Sequence, residues 1–98
     1  MGKLRSKLEA LRKKSYRFVP LGEGSGPFRM KLRLVAGGEM YFLFSPRDGR
    51  TRAPSPGDKF FVEFKEPKLK LERSLEVVCV RIVPVFGRYR MCVFVQNL

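Results

Sequence analysis

From Phe28 the chain alternates, with Phe28, Met30, Leu32 and Leu34 apolar and Arg29, Lys31 and Arg33 cationic between them. A period of two sends successive side chains to opposite faces, so this segment predicts a strand with one face in a core and three cations on the other. The same period returns at 59–65, KFFVEFK, with Phe60, Val62 and Phe64 inward and Lys59, Phe61, Glu63 and Lys65 outward. Between these two segments Gly37-Gly38 turns the chain into Glu39–Phe44, EMYFLF, which is apolar on both faces. Ser74–Phe86 and Arg88–Val95 are apolar, largely β-branched runs around Gly87 and predict a closing hairpin. Pro84 confines the end of the first run to an edge or a bulge. Tyr16–Leu21 is a shorter extended run.

Residues 3–14, KLRSKLEALRKK, break the period. Leu4, Leu8 and Leu11 fall at i, i+4, i+7, which predicts an amphipathic helix with one narrow apolar stripe. The reading is therefore mainly β: a basic amphipathic helix or arm over 1–15, then a single domain over 16–98. That domain is a small five- or six-stranded antiparallel barrel of the OB/SH3-like or Sm-like kind. Closure is favoured because a single open sheet would leave EMYFLF and the last hairpin half exposed. No internal repeat is visible.

Charge changes the picture most. The 98 residues carry 21 Lys and Arg against 9 Asp and Glu, a net +12, and no histidine. Such a chain repels itself, which points to a polyanionic partner. Residues 1–17 hold seven bases and one acid, so half of the net charge lies in the first sixth of the chain. The missing histidine removes the commonest general base and metal ligand. Cys79 and Cys92 alone cannot build a zinc site, and both lie in strand-like runs, where they read as buried reduced thiols or, less simply, as a disulfide. One Asn and one Gln among abundant charge is the compositional lean of heat-adapted proteins. No apolar stretch approaches the roughly 20 residues of a membrane span, and no signal-peptide core follows the basic start. The expectation is a cytoplasmic or nucleoid-associated protein, without membrane contact, metal or cofactor.

The candidate chemistry is cationic strand faces with aromatics beside them, since a basic groove follows phosphates and a ring on the same face can stack a base. Arg29, Lys31 and Arg33 form one row, Lys59, Phe61 and Lys65 another, and Arg88 and Arg90 share a face of the last strand. Tyr41 and Tyr89 stand beside them. Arg47, Arg50 and Arg52 sit in a Pro-rich loop, and Lys7, Arg12, Lys13 and Lys14 line the helix. The glycine-rich stretch 22–27 lacks the spacing of a phosphate loop and leads into a strand. Asp58 with Glu63-Phe64-Lys65 superficially resembles the acid…ExK pattern of metal-dependent nucleases, at too short a spacing.

Size, charge and strand content resemble the small basic chromatin proteins of heat-loving archaea, which implies an SH3-like barrel. A helix before five bent strands also resembles the Sm-like RNA-binding fold. No motif of either family is present, so neither assigns residues. The expected function is non-catalytic binding of DNA or RNA through phosphate contacts. The alternative is a basic subunit of a ribonucleoprotein or other protein assembly, acting as an interaction module. A homodimer through an edge strand in EMYFLF is a further expectation.

Overall fold

The computed structural model describes residues 15–22, 26–46, 52–66 and 71–98. Six strands make up this part: β1 (Ser15–Pro20), β2 (Phe28–Ala36), β3 (Glu39–Phe44), β4 (Lys59–Glu66), β5 (Leu71–Pro84) and β6 (Arg90–Gln96). They close into an antiparallel barrel in the order β1-β2-β3-β6-β5-β4, with β4 returning to β1. Among the described residues there is no helix, and so none that could cross a membrane. The helix expected over 3–14 lies outside the described residues, while Ser15 already belongs to β1.

The ring order divides into two three-stranded meanders, β1-β2-β3 and β4-β5-β6, sealed to each other at β1–β4 and at β3–β6. Exchanging the meanders leaves the order unchanged, and each carries one register shift at the same place, between its second and third strands. The repeat absent from the sequence is therefore present in the topology. Both seams join segments distant in the chain, as in Phe18 opposite Val62 and Phe42 opposite Cys92.

The inward residues fill the barrel with rings. Phe18, Phe42, Phe60 and Phe94 are fully buried, and Phe28 and Tyr16 nearly so. Phe18 lies at the centre, its centroid 4.7 Å from that of Phe42, 5.3 Å from Phe94, 5.6 Å from Phe28 and 5.8 Å from Phe60. Met30, Val62, Val77, Cys79 and Cys92 fill the remaining space. Gly37 and Gly38, both at positive φ (59° and 77°), form the two-residue β2–β3 turn, a conformation other residues adopt only with strain.

Several expectations are corrected here. Leu34 does not continue the inward row of Phe28, Met30 and Leu32. The ladder slips between Leu32 and Leu34, so Leu34 stands beside Tyr41 on the outside, 41% exposed. A bulge of this kind flips the side of every residue beyond it. The expectation for Pro84 holds: β4 pairs with β5 only as far as Val78, so after the bulge between Cys79 and Arg81 the end of β5 pairs with β6 alone and Pro84 closes it on an edge. The leading expectation for the cysteines holds and the lesser one does not: both are buried and reduced, with Cys79 opposite Phe94 and Cys92 opposite Ile82, and no disulfide joins them. Burial pushes the Cys79 thiol up to about 11, with the negative charge of Asp58 adding to the effect. β3 pairs with β2 on one side and β6 on the other, so EMYFLF offers no edge for strand addition.

Candidate nucleic-acid interface

The outer surface of the barrel follows from the same alternation, and it is divided by chemistry. On the β4-β1-β2 side, outward residues form a row across three strands. Glu63 of β4 stands opposite Arg17 of β1, which stands opposite Arg29 of β2. In the next row Ser15 is opposite Lys31. Lys65 lies two residues along β4 from Glu63, on the same face. Arg17, Arg29, Lys31 and Lys65 are all exposed, and Ser15, Tyr16, Arg17, Arg29, Glu63 and Lys65 line a shallow cleft of about 240 Å³.

The cleft is held by side-chain bonds. Arg17 Nη1 donates to both oxygens of Glu63, at 2.9 and 3.0 Å. Arg29 reaches across to β1, donating through Nε to Ser15 Oγ (3.2 Å) and through Nη2 to the Ser15 carbonyl (2.8 Å). The bonds from Arg17, with the charges of Lys65 and Arg29 nearby, hold the Glu63 carboxyl below the ordinary carboxylate range against a smaller opposing effect of burial. One carboxylate is thus placed among three cations, and the face keeps a positive excess.

On the β3-β6-β5 side the surface is largely apolar. Lys31, Leu43, Met91 and Val83 form one row from β2 across to β5. Val93 points outward, yet it is fully buried. It lies between Tyr41 and Arg81, its register partners. Those two side chains are clasped together by Glu39. Arg81 donates to Glu39 Oε2 at 2.9 Å and to Oε1 at 2.8 Å, and Tyr41 Oη donates to Oε1 at 2.8 Å. The bonds from Arg81 and then Tyr41 depress the Glu39 pKa, and Glu39 in turn raises that of Arg81.

Arg29, Lys31 and Lys65 therefore come together, joined by Arg17, which was outside the expected set. Arg33 occupies the β2 bulge and is exposed farther along the same strand. Lys59 and Phe61 face outward on β4 as expected, Phe61 between Val19 and Glu76 and 41% exposed. Tyr41 is half-buried and occupied with Glu39, on the apolar side. Arg88 and Arg90 do not share a strand face. Arg88 lies in the β5–β6 turn, and Arg90 opens β6, its Nη1 donating to the carbonyls of Gly87 and Tyr89 at 2.8 and 2.9 Å. Arg52 is exposed in the segment that precedes β4, whereas Arg47, Arg50, Lys7, Arg12, Lys13 and Lys14 lie outside the described residues.

Asp58 and Glu63 do not converge on a common point. Asp58 Oδ2 accepts from the Ser55 backbone N–H at 2.9 Å, closing the turn before β4, while Glu63 is bound to Arg17. Among the described residues no group of three or more metal-ligating side chains gathers.

No family model, curated protein or solved structure matches this chain. The functional reading rests on the outer face itself.

Proposed function

We propose that this protein binds nucleic acid without transforming it, holding the phosphate backbone against the outer face of β4, β1 and β2. The observation that carries this reading is the direct opposition of Arg17 and Arg29, flanked by Lys31 and Lys65, with Glu63 the one acid among the described residues lining their cleft. Like charges placed opposite each other across a strand pair destabilise the sheet. A bound polyanion turns that cost into attraction, releasing its own counterions as it does so. The net charge of +12 extends the same argument to the whole chain. Small barrels of the OB and SH3-like kinds present a sheet face and neighbouring loops to nucleic acid in this manner. Arginine and lysine dominate the face, and the single Asn and Gln of the chain lie at its far end, so contacts go to phosphates more than to base edges.

The test is titration of labelled single-stranded DNA, duplex DNA and RNA at several salt concentrations. Affinity should fall linearly on log–log axes with a slope of about −0.7 to −0.9 for each phosphate contacted. Replacing Arg29, Lys31 and Arg33 together by Glu should abolish binding while the far-UV circular dichroism is kept. Absence of binding to all three ligands at low salt, or undiminished binding by the triple variant, refutes the assignment.

A further inference from the structure

The β5–β6 turn presents an aromatic pair in a way that nothing in the barrel requires. Phe86 is 69% exposed, the most exposed ring among the described residues, and it is flanked by exposed Val83 and Val85. Its ring packs against Tyr89 with centroids 4.9 Å apart and planes tilted by 31°. The turn beneath is firmly built. Val85 N–H donates to the Tyr89 carbonyl (3.2 Å) and Tyr89 N–H to the Phe86 carbonyl (3.0 Å). Gly87 supplies the positive φ of 55°, and Arg90 ties the carbonyls of Gly87 and Tyr89. Beside Tyr89 opens a cavity of about 390 Å³ lined, among the described residues, by Ser45, Pro46, Arg88 and Tyr89. That volume is in the range of about 300–1,000 Å³ typical of small-molecule sites.

An apolar ring held 69% exposed loses most of its hydrophobic stabilisation and keeps only its contact with Tyr89. It does reduce the ordering cost of binding a flat partner. The partner's chemistry follows from the surroundings: ring faces to stack on, a cavity edged by a proline and a tyrosine, and arginine at positions 88 and 90 to meet negative charge. These elements fit an unpaired nucleobase and the phosphates on either side of it. A purely apolar protein segment would use the rings but leave exposed Arg88 without a role. The root of the turn approaches the basic face: Met91, two residues after Tyr89, shares a row with Lys31 two strand spacings, about 10 Å, away.

We infer that Phe86 and Tyr89 form a stacking platform for a nucleobase, so that the ligand is a single strand with its bases unpaired. This rests on the proposed nucleic-acid function and names its substrate class. The probe is a labelled 12-nucleotide thymidine strand, compared with an abasic strand of equal length and with a duplex, for wild type, F86A and Y89A. The thymidine strand should bind about 5- to 150-fold more tightly than the abasic one, the range a single stacked base supplies. F86A should erase most of that difference while leaving abasic affinity and the salt slope unchanged. Equal affinity of wild type for the two single strands, or tighter binding of the duplex, overturns the platform but leaves phosphate binding standing. Failure of all three probes at low salt overturns both. If F86A instead disrupts self-association in sedimentation equilibrium and leaves oligonucleotide binding intact, the tip is a protein contact and the inference is wrong.

Discussion

Replacing Phe18 by alanine is the sharpest test of the barrel interior. Phe18 is fully buried, and its four ring neighbours are anchored on four different strands: Phe28 on β2, Phe42 on β3, Phe60 on β4 and Phe94 on β6. None of them can move into the vacated space without disturbing a hydrogen-bonded ladder. The cavity therefore collapses poorly, and the cost belongs near the top of the range of about 3–5 kcal/mol for Phe→Ala substitutions. Edge-to-face contacts with Phe42 and Phe60 are lost as well. A domain of this length has roughly 5–15 kcal/mol of total stability, so a loss of about 4–5 kcal/mol removes about a quarter or more of it. The chain has no tryptophan, so urea unfolding is best followed by far-UV circular dichroism. The control is Phe61, 41% exposed on the outer face of β4, for which alanine should cost less than about 1 kcal/mol. Both variants should keep the wild-type dependence on urea concentration. If Phe18→Ala costs no more than Phe61→Ala, the division into inner and outer residues is wrong.

Other outcomes follow from the same geometry. Glu63→Gln frees Arg17 for a phosphate, so it should raise affinity for nucleic acid and steepen the salt slope by about 0.7–0.9; unchanged affinity would show that Arg17 is not a contact. Because the folded-state pKa of Glu63 is depressed, its stabilisation is present above the ordinary carboxylate value of 4.5 and lost as pH falls through the depressed one. Thermal melts of E63Q at neutral and acid pH should therefore show a shallower acid loss than wild type. With the Cys79 pKa raised from 9.0 to about 11, the unfolded chain binds fewer protons between those values, and stability should fall as pH rises through that window. Cys79→Val should reduce that fall. A thiol reagent at pH 8 should find no reactive cysteine in the native protein and two in denaturant, since both are buried.

What could be read from the chain, and what could not, divides along physical lines. The bounds of β3 and the inward faces of β2 and β4 follow from local alternation and from the Gly37-Gly38 turn, all within a few residues of one another. Bulges carry no local signal of comparable strength, so alternation alone places Leu34 on the wrong side. The importance of Arg17 comes from register with Glu63, 46 positions away, and no periodicity reports a pairing at that distance. Val93 illustrates the converse: an outward position buried by a clasp of Glu39, Tyr41 and Arg81 drawn from two other strands. Phe86 was absorbed into an apolar run that reads as core, although the strand ends at Pro84 before reaching it.

The two meanders have a consequence for how copies of this chain can meet. Each half leaves its outer strands unsatisfied unless the other half supplies them, and only the segment between Phe44 and Lys59 tethers the two. The first three strands of one molecule can close with the last three of another, preserving all six ladders and the whole aromatic interior. The two arrangements differ in whether that segment closes the barrel within one chain or between two, and closure between two chains gains as protein concentration rises. Shortening that tether shifts the balance toward an interlaced pair, visible by size-exclusion chromatography. Cutting it leaves two fragments that carry complementary edges and so have the means to rebuild the barrel between them.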